Sequence, residues 1–330
     1  MGEIDDIMYR YLSNRERFAD LFNGILFQGK NIIFPDQLLE TTGKYTAVSH
    51  KSAKGSHKKR ISGRSRDVKM LLQSRTGLYI LAVENQTYAD YSMPFRCMEY
   101  DALEYRRQLD ELKSTHKALK DYVTREEYLC GIKASDRLIP VYTICLYHGE
   151  TAWDGPRTLT DMMNFQDPPG IMQHFFADYP FRLFCVNARS DFDMFHTELR
   201  SLFLALNQRG DPSGLQQLLS EDPSYKHLSA DTLETLAILL GMPQIWEKRK
   251  EYKNPNREDY NMCYAVRKWH EQDIASGRAE GIALGRNEGS LDKTKKVVTN
   301  MLKRGFSDED IAALAECDQV MIDEVRTSLS

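Results

Sequence analysis

Long apolar runs are absent from this sequence. Nowhere do its 330 residues approach the roughly 18 consecutive apolar residues that a membrane-spanning helix needs. The first residues, MGEIDDIM, are acidic and lack the basic and apolar regions of a secretory signal. Asp6 also stands where a myristoylation signal requires Ser or Thr. The sequence therefore predicts a cytoplasmic protein with no membrane partner.

Familiar metal and catalytic motifs are also missing. The six cysteines are scattered, with no CxxC pair and no Cys/His cluster at zinc-ligand spacing, which predicts ordinary reduced thiols. There is no P-loop, no G-x-G-x-x-G after a strand and no Ser-His-Asp arrangement. His116, His148, His174 and His196 show no ligand spacing and are expected to be isolated side chains. These absences exclude a zinc module and a serine hydrolase.

One segment carries an excess of positive charge. The chain has 44 Lys and Arg against 48 Asp and Glu, a net charge of -4 that alone argues against a nucleic-acid partner. Residues 50–66, HKSAKGSHKKRISGRSR, contain seven of these cations and no acid, and removing those seven charges leaves -11. Such a segment is either a solvated loop or hairpin tip, or a binding site for phosphates.

The hydrophobic pattern predicts a mixed α/β body. Ser13 and Glu16 form a capping-box pattern before an amphipathic helix over residues 14–27. Another helical period covers residues 92–113, and residues 137–147 are typical of a buried strand.

Helical patterns dominate beyond about residue 195. We therefore expect an α/β domain over 1–210, a helical extension over 211–276 and a C-terminal part over 277–330. The last part has a glycine at every fourth position from Gly277 to Gly289, which favours a polar linker over a helix that packs through a glycine stripe. The small helical module after it is acidic, which favours a packing or protein-interaction role over DNA reading.

Two buried strands bring polar residues together. Residues 67–72 and 78–86 are typical of an antiparallel hairpin, because nearly every position is apolar or β-branched. A turn in the middle of the intervening segment sets Asp67 opposite Glu84, with the β carbons about 5 Å apart. Gln86 shares that face, because side chains alternate along a strand. Three polar groups are thus predicted at one end of the hairpin.

Two neighbouring carboxylates repel each other, and a raised pKa or a shared cation relieves the repulsion. Mg²⁺ suits such a pair, because it prefers oxygen ligands and completes its coordination with water and phosphate. An ion held there can prepare water for attack on a phosphodiester. The spacing alone, however, favours ordinary strand-end residues in solvent.

Three runs of sequence resemble a known family. They are RDVKMLL, ILAVENQTYADYSMPFRCMEYDALEY and PVYTICLYHGETAWDGPRTLTDM. In this order they resemble the recombination-promoting nuclease/putative transposase family, a branch of the PD-(D/E)xK nuclease superfamily, over about residues 14–206. The resemblance implies a restriction-endonuclease-like mixed sheet flanked by helices. It also implies cleavage of double-stranded DNA with little sequence preference, dependent on Mg²⁺ or alternatively Mn²⁺, in recombination or transposition.

The resemblance also implies roles for the hairpin residues. Asp67 and Glu84 take the metal-ligand positions, and Gln86 takes the place of the superfamily's usual lysine. Glutamine offers amide hydrogen bonds but cannot titrate. Activation of water is then left to the metal, aided by a cation such as Lys69 on the same face. Glu16 is assigned to the helix cap and not to the metal site.

Further residues are expected to support this site. Arg96 and Tyr100 match the family's M-P-x-R-x-x-x-Y motif and are expected to orient the site or touch DNA, with simple packing as the alternative. The basic segment leads directly into Asp67, so DNA phosphates bound there would lie near the metal. The expected phosphate-binding side chains are Lys58, Lys59, Arg60, Arg64 and Arg66.

The sequence thus predicts a metal-dependent DNA endonuclease with an all-helical C-terminal extension. The alternative, from another class, is a catalytically silent DNA-binding or protein-interaction module that retains the nuclease scaffold. Cleavage specificity, the role of the tail and the existence of a homodimer are left open.

Overall fold

The chain forms two compact units, Met1–Tyr264 and Ala265–Ser330. The computed structural model describes residues 3–41, 44–49, 60–165, 171–179 and 181–329. The first unit extends well past residue 210, so the expected domain boundary there does not separate compact bodies.

A mixed five-stranded sheet forms the centre of the first unit. The strands of the described chain are β1 (Leu38–Glu40), β2 (Lys44–Ser49), β3 (Arg60–Ser65), β4 (Val68–Ser74), β5 (Gly77–Gln86), β6 (Val141–Tyr147) and β7 (Arg182–Cys185). The sheet order is β1-β4-β5-β6-β7, and β2 pairs separately with β3. β1, β4 and β5 are antiparallel neighbours, whereas β5, β6 and β7 run parallel. The predicted α/β class is confirmed.

Helices flank this sheet and make up the rest of the described chain. Those that begin in the first unit are α1 (Glu3–Leu12), α2 (Arg15–Phe27), α3 (Met93–Leu119), α4 (Arg125–Cys130), α5 (Leu199–Asn207), α6 (Pro212–Glu221), α7 (Ala230–Leu239), α8 (Pro243–Glu247) and α9 (Met262–Lys303). The last two are α10 (Asp308–Ala315) and α11 (Gln319–Leu329). The all-helical C-terminal extension is confirmed.

The hairpin of β4 and β5 has the predicted register. Val68 pairs with Val83 and Leu71 with Ile80, as the central turn requires. Asp67 immediately precedes β4. Most of the β4–β5 hairpin is buried. β1 and β6 pair with the two outer edges of the hairpin, and helices cover its faces.

The predicted capping box at the start of α2 is wrong. Asn14 caps this helix, and its Oδ1 accepts hydrogen bonds from the backbone N–H groups of Glu16 and Arg17 at 3.0 and 3.1 Å. The Ser13 hydroxyl instead donates to the carbonyl of Tyr9 at 2.7 Å, because Ser13 belongs to the turn that ends α1. Asparagine is as good an N-cap as serine, so the helix still begins where expected.

A polar network explains why the helices after residue 210 belong to the first unit. The buried guanidinium of Arg17 lies 3.3 Å from the carboxylate of Glu198 and donates to the hydroxyl of Ser229 at 3.0 Å. Glu198 also accepts from the backbone N–H of Ser229 at 2.6 Å. These contacts join α2 to the start of α7. No local sequence pattern predicts this pairing.

Helix α9 runs without a break through its four regularly spaced glycines, so this part of the chain is a Gly-punctuated helix and not an irregular linker. No atom outside the helix lies within 4 Å of where their β carbons would be, among the residues that the structure describes. After it, α10 and α11 pack on the end of α9 around a small apolar core of Val298, Ile311, Ile322 and Val325. In the described part of the chain, no helix is both long and apolar enough to cross a membrane.

Candidate active site

Asp67 and Glu84 meet at the carboxyl end of β5. Asp67 Oδ2 accepts a hydrogen bond of 2.6 Å from the backbone N–H of Asn85, the residue that follows Glu84. The two carboxylates are close enough for the charge of Asp67 to raise the pKa of Glu84. The sequence predicted this proximity from the hairpin register.

Glu84 is a buried carboxyl group with spare acceptor capacity. Its side chain is 0% exposed, and burial, followed by the charge of Asp67, raises its pKa to about 8. Neither oxygen accepts a hydrogen bond from any residue in the described ranges. An Arg96 guanidinium nitrogen lies 3.7 Å from Oε2, and the positive charges of Arg66 and Arg96 both oppose the rise in the pKa of Glu84. Buried polar atoms normally have a hydrogen-bond partner, so this carboxyl group is an exception that needs an explanation.

Its surroundings explain the shift in pKa. On β6, Cys145 is the registered neighbour of Glu84. Cys145 packs with Cys97 of α3 in an apolar cluster. Such neighbours offer no hydrogen bond to an anion, so the charged form of Glu84 is disfavoured. Burial also raises the pKa of Asp67, although the Asn85 N–H and the charge of Arg96 oppose this effect.

Gln86 lies two residues beyond Glu84 and is buried. Its registered neighbour on β6 is Tyr147. The Gln86 carbonyl accepts a hydrogen bond of 3.0 Å from the backbone N–H of His148. Strand alternation puts the Gln86 side chain on the same face as Glu84, as predicted.

The cation next to Glu84 is Arg96 and not Lys69. Arg96 approaches Glu84 from α3 and also donates to Asp90 at 2.5 Å. Lys69 does lie on the predicted face, opposite Ala82, but its ammonium group donates to Glu104 at 2.9 Å. Lys69 is therefore engaged in a buried ion pair.

Tyr100, the partner of Arg96 in the sequence motif, is buried. Its ring centroid lies 5.5 Å from the guanidinium carbon of Arg66. In this structure Tyr100 packs against that cation and also hydrogen-bonds to Arg96 through its side chain.

The expected phosphate-binding residues fall into two groups. Lys58 and Lys59 lie outside the described residues, and Arg60 and Arg64 lie on β3, of which only the backbone is described. Arg66 differs from the expectation, because its side chain is 0% exposed and forms an ion pair with Asp101. The carboxylate of Asp101 thus holds this arginine in the interior.

Sequence reasoning missed two groups near the site. Asp5 on α1 acts electrostatically on both Asp67 and His148. His148 follows β6, and burial together with the charge of Arg209 lowers its pKa to about 4. Both of its ring nitrogens lack a hydrogen bond to the described part of the chain. No local sequence pattern marks Asp5. The only sequence signal at His148 is its position at the end of a predicted strand.

The donor set fits a divalent cation only in part. Among the described residues, no group of three or more His, Cys, Asp or Glu side chains is placed to hold a metal ion. Two carboxyl groups do converge, and the uncompensated oxygens of Glu84 offer free acceptors. Mg²⁺ is often held by only one or two protein carboxylates, with water and phosphate as the other ligands. Asp67 and Glu84 therefore fit that ion.

Comparison with protein families assigns this region. The sequence model of the family described as "Putative transposase, YhgA-like" matches residues 59–221. This segment, which is just under half of the chain, is therefore similar to the YhgA-like family. The family match contains Asp67, Glu84 and Arg96 and ends in α6, past residue 210. The family's description associates the segment with transposition. No curated protein and no solved structure matches the chain.

Proposed function

We propose that this protein is a metal-dependent DNA endonuclease that acts in recombination or transposition. One observation carries the proposal: Glu84 is completely buried beside Asp67, yet neither of its oxygens has a hydrogen bond within the described chain. An unsatisfied buried carboxyl group is costly to the fold. A bound cation would compensate that cost.

Asp67 and Glu84 would hold Mg²⁺, or Mn²⁺ in its place. Such an ion supplies Lewis-acid polarisation of a phosphodiester and lowers the pKa of water. The pKa of about 8 means that Glu84 carries a proton at neutral pH until a cation binds. Because the cation and the proton compete for this carboxylate, metal affinity should rise with pH up to about that value.

Gln86 and Arg96 would complete the chemistry. The Gln86 amide can orient an attacking water by hydrogen bonding but cannot accept its proton, since an amide does not titrate. Arg96 already faces Glu84 and is half-buried. Its guanidinium can form a bidentate pair of hydrogen bonds with the scissile phosphate. A lysine, the residue usual in the superfamily, could not bind the phosphate in this way.

The basic segment would bind the DNA backbone. Arg60 and Arg64 lie on β3, which ends directly before Arg66 and Asp67. Neutralising Lys58, Lys59 and Arg60 together should weaken DNA binding and flatten its dependence on salt, because each phosphate contact releases counterions. If the dependence of DNA binding on salt concentration is unchanged in this variant, the segment does not bind the DNA backbone.

A plasmid-nicking assay tests the activity directly. Wild type should nick supercoiled DNA with Mg²⁺ or Mn²⁺ and not with EDTA, whereas Asp67→Ala and Glu84→Gln should be inactive. Glu104→Gln is the matched control, because it also neutralises a buried glutamate that faces the sheet. Equal nicking by wild type and both site variants would refute the proposal.

Among the described residues, no third acidic or histidine side chain is placed to hold a metal ion together with Asp67 and Glu84. This observation favours a second candidate function. In that case the chain is a silent DNA-binding or protein-interaction module. DNA binding by wild type without any metal-dependent nicking would favour this candidate.

A further inference from the structure

A buried carboxylate on α3 joins three separate parts of the first unit. Asp101 Oδ1 accepts hydrogen bonds from the hydroxyl of Thr143 at 2.9 Å and from the guanidinium of Arg66. Its Oδ2 accepts a hydrogen bond of 2.5 Å from the hydroxyl of Tyr179. Asp101 thereby connects the segment before β4, strand β6 and the chain that leads into β7.

Arg66 is fixed by this cluster. Its side chain is 0% exposed, and a second guanidinium nitrogen donates to Thr143 at 2.5 Å. The ring of Tyr100 packs against the same cation at 5.5 Å. A guanidinium held by a carboxylate, a hydroxyl and an aromatic ring has little freedom to move.

Fixing Arg66 restrains Asp67, which is the next residue in the chain. The Asp67 carboxylate is held from the other side by the Asn85 N–H, at 2.6 Å. The backbone at Asp67 is thus anchored through its preceding neighbour, and the side chain is anchored through β5.

We propose that Asp101 is a positioning residue that holds Asp67 in place through Arg66. The consequence for metal binding and catalysis rests on the proposed function, but the geometric claim does not. Residues that orient metal ligands from behind commonly change metal affinity by about 10- to 100-fold when they are substituted. Asp101 directly follows Tyr100 of the M-P-x-R-x-x-x-Y motif, but it lies 34 positions from Asp67 in the sequence, so spacing alone does not link the two.

Amide hydrogen exchange at Asn85 measures the positioning without any metal. In Asp101→Asn the carboxylate charge is lost, so Arg66 should loosen, Asp67 should shift and the Asn85 N–H should become more open. We expect this amide to exchange about tenfold faster than in wild type, as measured by NMR on the full chain. Mn²⁺ binding, measured by calorimetry, should weaken by about tenfold in the same variant.

Glu104→Gln is the matched control for the loss of a buried carboxylate. Glu104 lies one helical turn from Asp101 on α3 and pairs with Lys69. It should lower thermal stability while leaving exchange at Asn85 and Mn²⁺ affinity within about threefold of wild type. Arg66→Lys is a second route to the same defect, because lysine keeps the charge but cannot bind Asp101 and Thr143 in the same forked geometry.

The outcomes separate this inference from the proposed function. Wild-type exchange at Asn85 in both Asp101→Asn and Arg66→Lys would overturn the positioning role, as would an equal increase in Glu104→Gln. If Asp101→Asn does not fold, Arg66→Lys decides alone. A wild-type protein that neither binds Mn²⁺ nor nicks DNA would overturn the endonuclease, while faster exchange at Asn85 would still support positioning by Asp101.

Discussion

Two buried glutamates, Glu104 on helix α3 and Glu84 on strand β5, have opposite surroundings. Glu104 accepts hydrogen bonds from the Lys69 ammonium at 2.9 Å and from Arg107 Nε at 3.0 Å. Glu84 accepts none from the described residues, although Arg96 lies 3.7 Å away and the charge of Arg66 also acts on it. Both side chains are 0% exposed. Equal burial therefore coexists with hydrogen-bonded ion pairs in one place and with no hydrogen bond from the described residues in the other.

The difference distinguishes a structural ion pair from a candidate binding site. A buried charge is tolerated when partners replace the water that it lost. Glu104 meets that condition within the fold, whereas Glu84 does so only if something else is bound. Uncompensated buried carboxyl groups with raised pKa values are typical of functional sites. The same contrast recurs between His116, which lies between Asp121 and Asp136, and His148, whose two ring nitrogens have no hydrogen bond within the described residues.

The largest expected effect is on DNA nicking. Glu84→Gln should lower the rate by about a thousandfold or more, corresponding to about 4 kcal/mol of transition-state stabilisation. Glu104→Gln should retain the wild-type rate per folded molecule, measured below its unfolding temperature. If the two substitutions impair nicking equally, the distinction between the two glutamates does not hold.

Thermodynamic stability should respond in the reverse order. Glu104→Gln leaves the buried ammonium of Lys69 without its counter-charge and should cost about 3 to 5 kcal/mol in chemical denaturation. The double variant Lys69→Met with Glu104→Leu should recover most of that loss, because it removes both charges. Glu84→Gln should be neutral or stabilising at pH 7, and a large loss of stability there would contradict a protonated Glu84.

The pH dependence of stability sharpens the same contrast. The pKa of Glu84 is raised from 4.5 to about 8 in the folded protein. Between these values the folded state keeps a proton that the unfolded state has lost, so stability falls as pH rises, by at most about 1.4 kcal/mol per pH unit. Glu84→Gln should flatten this slope in urea unfolding from pH 5 to pH 8. An unchanged slope would assign the effect to another group.

The smallest effects concern the two histidines, which should have slopes of opposite sign. Hydrogen bonding to Asp121 raises the pKa of His116, so its contribution is complete below pH 6.5 and is lost as the pH rises. Burial lowers the pKa of His148 to about 4, so its neutral form favours the fold above pH 6.5 and this advantage is lost toward pH 4. Unfolding of both variants should be measured at a series of pH values. His116→Gln should no longer show the loss of stability above pH 6.5, and His148→Gln should no longer show the loss toward pH 4.

Local sequence was sufficient for the elements that depend on short-range periodicity. The register of β4 and β5 followed from strand alternation and a short turn, and this register brought Asp67 and Glu84 together. Helix α2 began within one residue of its predicted start, although Asn14 and not Ser13 caps it. The exact cap depends on where α1 ends, which the sequence pattern did not reveal.

Contacts between distant residues could not be predicted in this way. The inward turn of Arg66 depends on Asp101 in α3, and the charge of Asp5 reaches Asp67 only because α1 packs near β5. The engagement of Lys69 by Glu104 likewise spans two elements. None of these pairings has a fixed spacing along the chain, so a pattern search has nothing to detect.

The sequence by itself determined the α/β class, the pairing of one hairpin and the proximity of two carboxyl groups, because hydrophobic alternation acts over a few residues. Tertiary structure alone decided which charges are compensated. Burial, and hence the pKa of about 8 at Glu84, depends on what α3 and β6 bring against that side chain. The same packing supplies Glu104 with its partners and leaves Glu84 without hydrogen bonds from the described chain.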